Sequence, residues 1–341
     1  MNEKRRTGRF FCVVSLLCLL GTVCSACGIF DKEVIQEMET EDEDLIVVGF
    51  SQLGSESMWR TGNTASIQNA LSKEDGFFLH FNNARQKQEN QIKAIRSFIS
   101  QRVDYIVFAP VTEPGWGTVL EEAKAAGIPV ILVDRDISGT DAYLYTTRVG
   151  TDSYWEGNQA GLWLEQDLEK AGLDEEQINI VILQGTPGAS VQIGRTNGFD
   201  AVVKAHDNWN VLAQQSADFT TAKGKEVMEQ YLEKYDDIDV IFSQNDDMTF
   251  GAVEALREAG IYVGEGDDIR ILSIDGGKSA LQMVAEGVID VDVECNPEQG
   301  EKVAEIIRKM ESGEMVEREY MVENRVFTKD NVEEYIDSRT Y

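Results

Sequence analysis

Carboxylates, amides and guanidinium groups recur at one kind of place in this chain, directly after short β-branched apolar runs. Ser51 to Arg60 (SQLGSESMWR) follows the first run and carries Glu56, Trp59 and Arg60. Asp134-Arg135-Asp136 follows another, and Gln184-Gly185-Thr186-Pro187-Gly188 leads on to Arg195. Gln244-Asn245-Asp246-Asp247 and Asp275-Gly276-Gly277 follow two more, and a last run ends in Glu294. A hydroxyl both donates and accepts, so a mixed set of this kind suits sugar hydroxyls, with an aromatic face for the C–H side of the ring. Each residue also has a plainer reading. Asp134, Asn245 and Asp275 are types favoured at helix N-caps and turns, and a single Trp59 can simply pack in a core. The coincidence of polar groups at most run ends, twice with Arg near Asp, is what favours a ligand.

Catalytic readings find less support. His80 and His206 are the only two histidines, which excludes HExxH or His-rich zinc sites, and the only CxxC is Cys24-Ser25-Ala26-Cys27. Gly277-Lys278-Ser279 resembles the end of a phosphate loop, but the position five before Gly277 is Leu272, so the glycine cradle is missing. No GxGxxG follows the first run. Gly49-Phe50-Ser51-Gln52-Leu53 lacks the second glycine of a nucleophile elbow. Asp246-Asp247 is not part of a D-x-D-x-D-G calcium loop. No cofactor, metal or catalytic residue is expected, and an enzyme working through paired carboxylates, such as a glycosidase, is the minor alternative.

Elements must bring these run ends together. Strands are predicted at 45–50, 77–81, 105–109, 130–133, 178–183, 211–215, 240–243, 269–274 and 288–293. Helices are predicted at 59–73, 86–101, 116–126, 154–169, 191–205, 221–234, 248–259 and 298–311. In the second helix Ile92, Ile95, Phe98 and Ile99 form the apolar stripe, with Lys93, Arg96 and Gln101 opposite. Continuous apolar strands alternating with helices mean parallel sheets covered on both faces. The alternation runs over 45–133 and again over 178–274, and Tyr143 to Asp152 between them carries no helix of its own. The expectation is an α/β protein of two doubly wound parallel-sheet lobes, crossing over at that segment, with ligands outside the carboxyl ends of the strands.

The 341 residues are long enough for two such lobes. With 61 acidic and 31 basic residues the net charge is −30, a field that repels nucleic-acid backbones and anionic headgroups. Residues 1–27 read as a leader: Lys4, Arg5, Arg6 and Arg9, then the apolar Phe10 to Leu20, then Ser25-Ala26 before Cys27. The pattern resembles a bacterial lipoprotein signal with Cys27 as the lipidated residue, although Cys24 stands where Leu is usual. Residues 28–44, GIFDKEVIQEMETEDED, read as an acidic tether. Of the five cysteines, Cys295 alone remains beyond Cys27 and is expected to be a packed, unreactive side chain.

Longer runs carry a resemblance. VGFSQLGSESMWR at 48–60, QKQENQIKAIRSFISQ at 86–101, IPVILVDRDI at 128–137, LQGTPGASVQIGRTNGF at 183–199, DFTTAKGKEVME at 218–229 and NDDMTFGAVEALREAG at 245–260 resemble the ribose- and galactose-type substrate-binding proteins of bacterial ABC importers. The galactofuranose-binding subgroup is the most similar. The resemblance implies a type I periplasmic binding protein, with three crossovers between a lobe of 45–150 plus about 296–325 and a lobe of 151–295 plus about 326–341. It implies sugar contacts from Asp134, Arg135, Arg195, Phe219, Asn245 and Asp275, and from Glu56, Trp59 and Arg60 of the SES-WR loop. Glu294 stands where ribose binders place Gln, and Ala109 where they place Asn, which disfavours free ribose and favours another furanose. The implied partners are a monosaccharide, a permease with its ATPase subunits and the membrane reached through a lipid anchor, for a monomer on the extracytoplasmic side. The alternative within the family is a sensory lipoprotein presenting its sugar to a histidine kinase or chemoreceptor.

Overall fold

The computed structural model describes residues 45–341 apart from 265, 267 and 268; the leader, Cys27 and the acidic tether lie outside the described residues. Five strands build most of a first sheet: β1 (Ile46–Gln52), β2 (Phe77–Asn83), β3 (Tyr105–Phe108), β4 (Val130–Val133) and β5 (Thr147–Gly150). Between them run α1 (Met58–Ala70), α2 (Gln88–Gln101) and α3 (Gly117–Ala125). A second sheet holds β6 (Ile178–Gln184), β7 (Trp209–Ser216), β8 (Val240–Ser243), β9 (Arg270–Asp275) and β10 (Val291–Glu294). Its helices are α4 (Ser153–Ala171), α5 (Ser190–Val203), α6 (Thr221–Lys234), α7 (Asp246–Glu258) and α8 (Lys278–Ala285). The chain then returns to the first lobe for α9 (Gly300–Glu311) and β11 (Glu319–Met321), and to the second for β12 (Val326–Thr328) and α10 (Glu333–Ile336).

The strand orders are β11-β5-β4-β3-β1-β2 and β12-β10-β9-β8-β6-β7. Every pairing is parallel except β10 with β12. Each sheet therefore has a switch point beside its first strand, where ligands bind in doubly wound folds. The central strands explain the arrangement. YIVF of β3, VILV of β4 and VIFS of β8 are buried along their whole length, so they need helices on both faces.

The chain passes between the sheets at 151–152, 295–299 and 322–325. The first passage is shorter than the sequence suggests, because Thr147–Gly150 forms β5 inside the predicted crossover. Its polar Thr147 and Arg148 hide the strand from a hydropathy reading. Arg148 is nevertheless buried, its guanidinium ion-paired with Glu319 of the edge strand β11. The helix α8 also escapes prediction: Gly277-Lys278-Ser279 is its first turn, with Gly277 at the N-cap. Among the described residues no helix is long and apolar enough to cross a membrane.

Two helices of the second lobe approach unusually closely, and the site depends on it. A Cβ on Gly157 of α4 would lie 2.0 Å from the Arg195 carbonyl oxygen, and one on Gly198 of α5 would lie 2.0 Å from that of Tyr154. Only glycine permits this backbone contact, which fixes the position of Arg195 relative to α4.

Candidate ligand-binding site

The loop after β1 is organised by a helix cap. Ser57 Oγ accepts the Arg60 backbone N–H at 3.1 Å, starting α1 with Arg60 in its first turn and Glu56 just before the cap. Arg60 Nε donates to Glu56 Oε1 at 3.2 Å and Arg60 Nη2 to Asp134 Oδ2 at 2.6 Å. The guanidinium stands 4.6 Å from the centre of the Trp59 ring, whose Nε1 donates to the Cys295 carbonyl. Trp59 thus both packs in the core and faces the ligand space.

Asp134 follows β4 with φ of 63°, a left-handed conformation that Asp tolerates better than most residues. Its backbone is pinned on both sides: its N–H donates to Val149 O and its carbonyl accepts from Arg148 Nη1, each at 2.8 Å. Arg135 beside it is buried and donates from Nη1 to Val111 O at 2.9 Å. Burial, followed by the positive charge of Arg60, pulls its pKa down to about 10, so it still carries its charge at neutral pH.

The second lobe answers from four elements. Arg195 on α5 donates from Nε to Glu156 Oε2 at 2.8 Å, from Nη1 to Gln244 O, and from Nη2 to Asp275 Oδ1 at 3.5 Å. Burial alone would lower its pKa, but the carboxylates of Glu156 and Asp275 hold it above the ordinary arginine range. Phe219 has φ of 60°, and its ring centre is 5.4 Å from the Arg135 guanidinium and 5.9 Å from that of Arg195. One aromatic ring therefore sits between arginines of the two lobes. Asn245 caps α7, its Oδ1 accepting from Met248 N at 3.0 Å while Nδ2 reaches Phe219 O at 3.5 Å. Asp275 ends β9 with φ of 138°, and burial pushes its carboxyl well above the ordinary range despite the opposing charge of Arg195. Three non-glycine residues in strained backbone around one cavity is the pattern of a ligand clamp.

Together Glu56, Trp59, Arg60, Asp134, Arg135, Arg195, Phe219, Asn245 and Asp275 line one space between the lobes. Ser57, Val191 and Cys295 line it too and escaped the sequence reading. Glu294 does not line it. In an extended segment adjacent side chains point opposite ways, and here Cys295 faces the cavity while Glu294 accepts from Arg339 Nη1 at 2.6 Å and Arg325 Nη1 at 3.3 Å. The cap reading holds for Asn245 but not for Asp134 or Asp275, since Gly277 is the residue that caps α8.

The lobes are closed over this space. Away from the crossovers, Met58 N donates to Asp247 Oδ2 at 3.1 Å, Glu113 N to Gly188 O at 3.0 Å and Asp136 N to Ser190 Oγ at 2.8 Å. Inside, Glu56 Oε2, Arg60 Nη1 and Arg135 Nε are buried and make no hydrogen bond within the described residues. A buried polar atom without a partner costs about 1–3 kcal/mol, which a ligand hydroxyl would recover. Positive and negative side chains alternate around the space, an arrangement that favours a neutral polyhydroxyl ligand over an ion.

Buried acids cluster behind Asp275. Burial raises Asp247 to about 6 and, with Asp275 next in influence, Asp292 to about 8, from an ordinary 3.8. An acid whose pKa is higher folded than unfolded binds protons more readily when folded. Its contribution to stability is complete below pH 3.8 and is lost as the pH rises through about 6 and about 8. The protein with its lobes closed should accordingly melt at a higher temperature at pH near 5.5 than near 8.5, as followed by circular dichroism. A midpoint that rises with pH over that window would contradict this assignment.

Residues 48–315 match the periplasmic binding protein domain. The galactofuranose-binding protein YtfQ of Escherichia coli (strain K12) is 39% identical over 298 residues, 86% of this chain and 91% of that protein. A protein from Mycobacterium smegmatis solved in complex with β-D-fucofuranose superposes with a TM-score of 0.80 at 40% identity, covering 86% of this chain and 94% of the other. The periplasmic binding protein component of the arabinose ABC transporter from Shewanella sp. ANA-3, bound to α- and β-L-arabinofuranose, gives 0.80 at 40% identity, with 86% and 95% covered. A domain match across both lobes, relatives of this identity and a closed cavity between two parallel sheets lead to one conclusion: the chain belongs to the periplasmic binding protein family, and is a binding protein rather than an enzyme.

Proposed function

We propose that this protein is the extracytoplasmic sugar-binding subunit of an ABC importer, that it takes a monosaccharide in its furanose form, and that it hands this sugar to a membrane permease. The observation that carries the reading is the space between the closed lobes, in which donors and acceptors of both lobes surround the Phe219 ring. Furanoses named with three similar proteins, galactofuranose, fucofuranose and arabinofuranose, support the furanose ring form. A five-membered ring is a minor form of many free sugars, and the apparent affinity falls by the fraction that is competent to bind.

Thermal shift and calorimetry against galactose, fucose, arabinose and ribose, with their methyl pyranosides as ring-locked controls, test it. A ligand at a hundred times its Kd adds about 2.7 kcal/mol to stability, a shift of several degrees. The free sugars of the galactofuranose, fucofuranose and arabinofuranose type should give that shift and the pyranosides none, and NMR should return the sugar chemically unchanged. Binding of a methyl pyranoside as tightly as the free sugar would refute the furanose reading, and turnover would refute the binding role.

A lipid on Cys27 would hold the protein at the outer face of the cytoplasmic membrane, with residues 28–44 as tether. Expressed in full with its leader, the wild type should partition with membranes and Cys27→Ala should be released or left unprocessed. Wild-type protein found entirely soluble and without lipid would rule the anchor out.

A further inference from the structure

The crossovers are wired to the ligand arginine of the second lobe through a residue outside the cavity lining. Glu156, in the first turn of α4, is fully buried. One of its oxygens, Oε2, holds Arg195 Nε at 2.8 Å; the other, Oε1, accepts from Asn324 Nδ2 at 3.2 Å. Asn324 belongs to the passage at 322–325, and its own Oδ1 accepts from the backbone N–H of Asn296, in the passage at 295–299, at 3.2 Å. The chain of contacts Asn296, Asn324, Glu156, Arg195 thus links two of the crossovers to a guanidinium that faces the cavity.

Charge explains why a carboxylate is needed there. Arg195 lies between Glu156 and Asp275, with the short contact on the Glu156 side and only 3.5 Å to Asp275. A buried guanidinium moves toward whichever carboxylate is left to it. With Glu156 in place, Arg195 is drawn away from Asp275, which leaves the Asp275 carboxylate as an acceptor for a hydroxyl. Without it, Arg195 would close on Asp275 and the two would satisfy each other instead of the ligand.

We propose that Glu156 is a positioning residue that couples the geometry of the crossovers, read through Asn324, to the orientation of Arg195 and so to sugar affinity; this rests on the sugar-binding reading above. The test uses the same protein with Glu156→Gln, Asn324→Ala and Arg195→Lys, singly and with Glu156→Gln and Arg195→Lys combined. In the ligand-free proteins, the Arg195 Nε–Hε NMR signal should shift in Asn324→Ala although Asn324 does not touch Arg195. In calorimetry with the sugar that the wild type binds, Glu156→Gln should weaken binding ten- to a hundredfold and Asn324→Ala about three- to tenfold. Glu156→Gln combined with Arg195→Lys should bind no more weakly than Arg195→Lys alone, because both changes disturb one device.

An unmoved Arg195 signal in Asn324→Ala, or affinity losses from Glu156→Gln and Arg195→Lys that simply add, would overturn the proposal. A residue that only supports the fold would lower melting temperature and leave both readouts alone. Should Glu156→Gln fail to fold, the Asn324→Ala signal still decides. A wild type that binds no sugar faults the furanose reading, whereas the Arg195 signal in the ligand-free protein bears on the coupling by itself.

Discussion

Asp134→Ala should lower sugar affinity by roughly two to four orders of magnitude. Asp134 is the carboxylate shared by two buried arginines, with 2.6 Å to Arg60 Nη2 and 3.7 Å to Arg135 Nε. Removing one partner of a buried charge pair costs about 3–5 kcal/mol, because the remaining charge stays desolvated. The timing of that cost matters. In an open cleft water reaches both guanidinium groups, so the penalty falls on closure and is read as lost affinity rather than as unfolding. A smaller, separate loss of about 1–2 kcal/mol in the ligand-free protein is expected from placing Ala at a φ of 63°. Asp134→Asn, which keeps the shape, an acceptor oxygen and tolerance of left-handed backbone, should lose less than Ala in both assays. Calorimetry and ligand-free melting curves separate the two effects. Asp134→Ala binding within threefold of wild type would show that this carboxylate does not hold the arginines in the bound state.

Gly185→Ala, outside the cavity lining, should also weaken binding, though less. A Cβ there would lie 1.8 Å from Cζ of Phe219 and 2.2 Å from both Cε atoms, far inside van der Waals contact. The ring has little freedom to yield, since both Asp218 and Phe219 hold left-handed backbone and Ser216 Oγ ties the Gly185 carbonyl to the Asp218 carboxylate. Overpacking of this kind typically costs about 1–3 kcal/mol. Displacement of the ring also breaks its contacts with Arg135 and Arg195, one on each lobe. We expect about ten- to a hundredfold weaker binding and a melting midpoint lower by several degrees. Full affinity in Gly185→Ala would mean that Phe219 can leave its position without consequence, and that its ring is not part of the recognition surface.

The protein's layered architecture could be read from residues alone. Runs such as VILV and YIVF are too apolar along both faces to be anything but interior parallel strands, and the helices between them announce themselves by period. Parallel sheets in turn dictate that residues at or just past the strand ends, Asp134, Arg135, Asn245 and Asp275 among them, come to one edge. Phe219 entered through family resemblance rather than through any local pattern, because a single aromatic before a helix is unremarkable until the fold sets it between two arginines.

What only the tertiary structure decided has a common physical cause, the meeting of segments far apart in the chain. Thr147–Gly150 is a strand because β4 and β11 flank it and Glu319, far along the chain, neutralises Arg148; its own composition argues for a loop. Glu294 and Cys295 are neighbours in sequence, yet the twofold alternation of extended backbone sends one to Arg325 and Arg339 and the other to the cavity. Glu156 shows no signal in a helix that reads as amphipathic, and its role exists only because the glycine contacts of α4 and α5 bring Arg195 against it while a later crossover delivers Asn324. Local propensity and period act over a few residues, so they determine elements and the edge at which polar groups collect. Which charge meets which is set by long-range packing, and in this protein that pairing decides which carboxylates and guanidinium groups remain free for a ligand.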